Sequence, residues 1–164
     1  MTSRERWLAV LAGEKPDRIP TDIWATPETH RKLQRALGCR DEREVWKKLH
    51  IDAAVGVQPP RKVSSHPDDA KADIWGIRYR SVAYADGAGV YRECENHPLA
   101  HVRNAAEVHA FRWPRPEDCD FAAIPCLLDA LPRDHVVFCG GYEPFLLYCY
   151  LRGMEQAMVD LVEN

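Results

Sequence analysis

The apolar positions of this chain fall into alternating stretches of helical and strand-like spacing. Thr2-x-x-Glu5 is a capping box, and Trp7, Leu8, Val10 and Leu11 continue it as a helical stripe up to Gly13. After the charged turn Glu14-Lys15-Pro16-Asp17-Arg18, residues 19–25 read as a short strand, with Pro20 near its start where a missing donor is tolerated. Thr26-Pro27-Glu28 opens a second helix carrying Leu33 and Leu37, stopped by Gly38. Asp41-x-x-Glu44 caps a third, with Val45, Trp46 and Leu49. Residues 51–57 form a second apolar strand, closed by Pro59-Pro60.

The pattern then changes. Residues 61–71 are polar and loop-like, and residues 73–80 take period-two character, with Trp75, Ile77 and Tyr79 on one face. Asp86-Gly87 followed by Gly89 marks a turn, and residues 90–94 are the returning strand of an inserted β-hairpin. Asn104-x-x-Glu107 starts a short helix, Trp113-Pro114-Arg115-Pro116 breaks the chain, and residues 121–131 read as helix. His135-Val136-Val137-Phe138-Cys139 is a third strand, ended by Gly140-Gly141. Glu143-Pro144 opens a helix broken at Gly153, and residues 154–163 are amphipathic through Met154, Met158, Leu161 and Val162. Without the hairpin, the order is a helix and three strand-and-helix units, the pattern of a parallel α/β sheet. The last helix meets Asn164 with no glycine or proline to stop it, so the sequence reads as continuing into further structure.

Composition narrows the classes. The chain has 164 residues, 46% apolar and 29% charged, with a net charge of −3, as expected of an ordinary globular domain. Its cations are interspersed with acids, so no basic stripe points to nucleic acid. No apolar run reaches the length of about 18 residues that spans a membrane. The charged start, Met1-Thr2-Ser3-Arg4-Glu5-Arg6, does not resemble a secretory signal, and the expected location is the cytoplasm. Six cysteines at irregular spacing, with no Cys-x-x-Cys, read as reduced thiols acting mainly as small apolar fillers. No Gly-x-Gly-x-x-Gly or Walker sequence follows a strand, which argues against a nucleotide-binding sheet.

Four pieces in order carry a family likeness. They are Arg4-Glu5-Arg6-Trp7-Leu8-Ala9-Val10-Leu11-Ala12-Gly13-Glu14-Lys15-Pro16-Asp17-Arg18-Ile19-Pro20, then Asp73-Ile74-Trp75-Gly76, then Asn96-His97-Pro98-Leu99, then residues 140–153 with the tail 154–164. Together they resemble the uroporphyrinogen decarboxylase superfamily, especially divergent members related to corrinoid-dependent methyltransferases. The likeness implies a (β/α)8 TIM barrel, a fold of about 250 residues whose active site is built from loops at the C-terminal ends of its strands. Residues 1–164 then correspond to an incomplete barrel: 1–18 the N-terminal helix and turn, 19–60 the first two βα units, 61–103 the loop and hairpin, and 104–164 the helices and third βα unit. On that reading the isolated chain is expected to be inactive, and poorly folded or oligomeric.

The same likeness suggests site residues. Tyr150 matches the family's active-site tyrosine and is the catalytic candidate; Trp24, Gln58, Tyr142 and Glu143 are the substrate-binding candidates. Decarboxylases place arginines after the first strand, where this chain has none until Arg31, and an aspartate after the second, where this chain has Gln58-Pro59. Those departures favour the methyl-transfer branch, in which zinc activates a thiol and a corrinoid carries the methyl group. The family's zinc ligands lie in later strands, so no metal residue is assigned here. The expected function is that of a uroporphyrinogen decarboxylase-like carboxy-lyase on a tetrapyrrole. The alternatives are part of a corrinoid- and zinc-dependent methyltransferase, or a non-catalytic binding module. The implied partner is a small-molecule substrate, with neither nucleic acid nor membrane, and a homodimer is compatible.

Each candidate also has a plainer reading. Tyr150 beside Leu147 and Leu151 suits a core position, Glu143 suits a helix's positive end, and Trp24 suits packing at a strand end. Asp22 suits solvation at a strand rim, and His97 a structural loop position. His30, His50, His66, His101 and His109 read as solvated, as do Asp68 and Asp69.

Overall fold

The computed structural model describes residues 1–84, 89–140 and 143–163. In chain order its elements are α1 (Ser3–Leu11), α2 (Pro27–Leu37), α3 (Glu42–Leu49), β1 (Ala54–Val57), β2 (Tyr79–Tyr84), β3 (Gly89–Cys94), α4 (Ala105–Ala110), α5 (Ile124–Asp129), β4 (Val136–Cys139), α6 (Pro144–Arg152) and α7 (Met154–Glu163). The protein is mixed α/β, with seven α-helices and two small two-stranded sheets among the described residues. None of these helices is long and apolar enough to cross a membrane. The chain divides into two compact units, the first made of Met1–Gln58 and Ile124–Gly140, the second of Pro59–Ala123 and Gly141–Asn164.

In the first unit the helices begin where the capping chemistry directs. The Thr2 hydroxyl accepts from the Glu5 N–H while the Glu5 carboxylate accepts from the Thr2 N–H, satisfying donors that have no partner within a helix. Thr26 and Asp41 cap α2 and α3 in the same sense, by accepting from the N–H three residues on. Gly38 ends α2 in the left-handed region at φ 64°. Yet α1 is not the buried stripe its spacing predicts. Ala9 is buried while Leu8, Val10 and Leu11 remain exposed. The unit's sheet is the parallel pair β1–β4, in the register Ala54↔Val136, Val55↔Val137, Gly56↔Phe138 and Val57↔Cys139.

Two strands differ from expectation. Residues 19–25 form no strand among the described residues. Their backbone link to the next strand segment is local: the Thr21 carbonyl accepts from the N–H groups of Asp52 (2.9 Å) and Ala53 (3.1 Å). The second strand starts at Ala54 rather than at residue 51, because Asp52 turns into a buried ion cluster and Ala53 adopts φ 30°, outside the extended range a ladder needs. The helix expected over residues 121–131 is a one-turn 3-10 helix, Phe121–Ala123, followed by α5. Pro125 at the second position of α5 lacks the N–H that would continue the ladder backward.

The second unit is built around Ile77, Leu99 and Leu151, against which Trp75, Tyr79, Val102, Phe111, Trp113, Leu147 and Tyr150 pack. β2 and β3 pair antiparallel from Tyr79↔Cys94 to Tyr84↔Gly89, as the hairpin pattern predicts; its turn at Asp86-Gly87 lies outside the described residues. The hairpin strand begins at Tyr79, not Asp73. The Asp73 carboxylate accepts from the N–H groups of Trp75 (2.8 Å) and Ile77 (3.1 Å), an Asx-type turn, and Gly76 takes φ 77°. Gly153 separates α6 from α7 at φ 89°. The histidine and acid expectations also need revision. His66 is buried, stacked on Phe111, and held by the Arg112 carbonyl and the Asp68 N–H. Asp69 is paired with Arg78 at 2.6 Å.

Candidate functional site

In the first unit, the C-terminal ends of β1 and β4 are tied together. Gln58 follows β1 directly, and its Nε2 donates to the carbonyl of Gly140, which follows β4, at 2.6 Å. The parallel register puts both residues at the same end of the sheet, the end where parallel α/β enzymes assemble their sites. Gly56 matters to this end. A Cβ there would lie 3.2 Å from the Phe138 ring, so only glycine lets that aromatic cross the pair without displacement. Trp24 is 98% exposed in an irregular segment two residues before the cap of α2, so it neither ends a strand nor packs as expected. Arg31, the first arginine after that segment, lies on α2 and donates to Glu28 at 3.1 Å.

The N-terminal end of β1 holds a carboxylate that the sequence pattern does not single out. Asp52 is 0% exposed. Arg6 Nη1 donates to its Oδ1 at 2.8 Å, Arg18 donates to both oxygens at 2.6 and 3.0 Å, and the Thr21 N–H donates to Oδ2 at 2.9 Å. Burial by itself pushes this carboxyl up, but the donors Thr21, Arg6 and Ser3 and the charge of Arg18 outweigh it and hold it below the usual carboxylate range. Arg6 also grips Asp17 at 2.6 Å, and that hydrogen bond holds Asp17 far below its ordinary value. The available signal was a lone carboxylate in an otherwise apolar run, which requires a cationic partner once buried. The cluster anchors the chain at the end of the strand opposite Gln58.

In the second unit, Tyr150 lies on α6 against the core, edge-on to Tyr79 with ring centroids 6.3 Å apart. It also lines a cavity of about 280 Å3 together with Cys94, His97 and Cys149. His97 Nδ1 contacts the Tyr150 carbonyl at 2.8 Å, and a carbonyl only accepts, so Nδ1 carries the proton. His97 is thus the structural loop residue its position predicts. Burial pushes the Cys94 thiol up, and its Sγ donates to the Asn96 carbonyl at 3.0 Å. That is a protonated thiol rather than a nucleophile. Glu143 is exposed and stands at the N-terminus of α6 without a side-chain bond to the helix. Tyr142 lies outside the described residues.

One further polar cluster adjoins a cavity of about 450 Å3 floored by Leu99, Val108, Trp113 and Leu151. The Tyr148 hydroxyl donates to Asp160 at 2.6 Å, and Arg152 donates to Asp160 at 2.7 Å and to the carbonyls of Leu99 and Val102 at 2.7 Å each. The hydrogen bond to Asp160 pushes the Tyr148 phenol above its ordinary value, and Arg152 holds Asp160 far below its own. Each group is locked in the state its neighbour needs, so the cluster clasps α6 and α7 to residues 99–102.

All six cysteines are free thiols; Cys149 is buried, and Cys126 and Cys139 are exposed. Among the described residues no three His, Cys, Asp or Glu side chains are grouped as metal ligands, so zinc has no fitting donor set there. Tyr150 and Gln58 lie in different units, and each is defined only by its own surroundings. No family model, no curated protein and no solved structure matches this chain.

Proposed function

We propose that this chain forms part of a (β/α)8 barrel of the uroporphyrinogen decarboxylase superfamily and handles a small-molecule substrate at the C-terminal ends of β1 and β4. The supporting observation is the parallel pair with its exit ends tied by Gln58 and Gly140. A parallel pair is stable as part of a larger, covered sheet, so further parallel strands beside β1 or β4 belong to this reading. The reaction is decarboxylation of a tetrapyrrole-type substrate, with Gln58 holding the site's floor at the exit end of the pair.

Methyl transfer is the second reading. Its support is the absence of a cation in residues 24–26 and the engagement of Arg31 by Glu28, which leaves a polycarboxylate without its expected partner there. The described residues supply no zinc site, so no step is assigned to a metal.

The test uses the product of the complete open reading frame that contains residues 1–164. Uroporphyrinogen is supplied anaerobically and porphyrin products are separated by carboxyl number; a parallel reaction supplies methylcobalamin and a thiol, and thioether is measured by mass spectrometry. Carboxyl loss supports the first reading and thioether formation the second. In either case Gln58→Ala is expected to lower kcat/KM by about tenfold, the effect of roughly 1.4 kcal/mol of lost positioning. Turnover of neither substrate, or full activity of Gln58→Ala, overturns the proposal and leaves a binding module.

A further inference from the structure

A recess lies in the first unit, at the opposite end of the β1–β4 pair from Gln58. It is a cleft of about 310 Å3 bordered by Ile51, three residues before β1, and by His135, immediately before β4. That volume is at the lower end of the range of about 300–1,000 Å3 typical of small-molecule sites. Its lining is strongly one-signed. Arg6, Arg18, Arg43 and Lys47 all contribute, and Asp134 is the one carboxylate facing them.

The cations divide into two groups. Arg6 and Arg18 are neutralised by Asp17 and Asp52. Arg43 and Lys47 are exposed, and neither donates to a carboxylate among the described residues. They stand four residues apart on α3, and His50, three further on, continues the same face. Two like charges one turn apart repel, and the arrangement becomes favourable when an anion sits between them. Asp134 is engaged by the ring of His135 at 2.9 Å and also feels the charge of Lys47, so an anion in the cleft competes with it for Lys47 and meets Arg43 without such a rival.

We propose that this cleft binds a small phosphate-bearing anion, with Arg43 and Lys47 as the two cations that meet the phosphate. A dianion answers both charges at once, whereas a single carboxylate answers one. The inference is independent of the proposed reaction, because it concerns the other end of the strands and none of the same residues.

The test is calorimetric titration of the protein with inorganic phosphate at constant ionic strength, with sodium chloride as the matched control and acetate as the carboxylate comparison. Saturable binding of one phosphate per chain is expected, at least tenfold tighter than acetate. Arg43→Ala/Lys47→Ala is expected to weaken it at least tenfold. Arg80→Ala, which removes a cation paired with Glu93 in the second unit, leaves it unchanged. Phosphate heats no different from chloride, acetate binding as tightly as phosphate, or undiminished binding by the double variant each overturns the proposal. Should the double variant fail to fold, the conservative Lys47→Gln decides, with loss of affinity supporting the site and unchanged affinity overturning it.

Discussion

Replacing Asp52 by asparagine is the most informative perturbation of this fold. The carboxylate is wholly buried and accepts five hydrogen bonds, three of them from the guanidinium groups of Arg6 and Arg18 and two from Thr21. Breaking a buried pair by removing one partner costs about 3–5 kcal/mol, because the other charge is left uncompensated. Here the loss falls at the lower end, about 3 kcal/mol. Arg6 keeps Asp17, and the Arg18 side chain is 39% exposed and can rehydrate. The amide also turns a donor toward guanidinium donors, so it cannot recover the lost bonds. Urea unfolding followed by far-ultraviolet circular dichroism reads the change as a lower midpoint at unchanged slope. The pH dependence carries a sign. The folded carboxyl titrates below its unfolded counterpart, so its contribution is fully present above the unfolded value, about 3.9, and is lost as pH falls through the folded value. Asp52→Asn therefore flattens the acid limb of the stability curve. A destabilisation under about 1 kcal/mol, the size of an ordinary surface change, refutes the claim that this cluster anchors the strand.

Three further outcomes follow from particular contacts. Ile77 is 0% exposed at the centre of the second unit's core, so Ile77→Ala is expected to lose about 3 kcal/mol in denaturant unfolding, within the 2–5 kcal/mol range for such truncations. Gly153→Ala puts a Cβ in ordinary van der Waals contact with the His97 ring, at 3.5 Å, yet must hold φ 89°; the strain is about 1–3 kcal/mol and is read as a lower thermal midpoint. Tyr148→Phe removes the donor to Asp160 and is expected to cost about 1 kcal/mol. In the parent protein, ultraviolet titration should show one phenol ionising above the usual tyrosine range, and the variant should lack it.

What the sequence determined by itself was local. The Thr2–Glu5 box, the caps at Thr26, Asp41 and Asn104 and the stops at Gly38 and Gly153 lie within one turn of the helices they bound, so their chemistry is readable from neighbouring letters. The hairpin and the runs that became β1 and β4 were readable for the same reason, as short apolar stretches between turn residues. Tertiary structure decided where those elements meet and which polar groups they enclose. Ala54 finds Val136 across 82 residues, and no local signal encodes that pairing. Residues 19–25 have the letters of a strand but no ladder, because their backbone is engaged by Asp52 and Ala53. Trp24 has the letters of a packing residue but faces solvent, whereas His66 and Asp69, which look solvated in the sequence, are buried against Phe111 and paired with Arg78. Asp52 reads as an interruption of an apolar run until Arg6 and Arg18 arrive from 46 and 34 residues away. Capping and turn formation act through bonds a few residues long, whereas burial of a charge is decided only when distant segments bring its partners, and that is why the anchor of this fold appears in three dimensions and not in the pattern of letters.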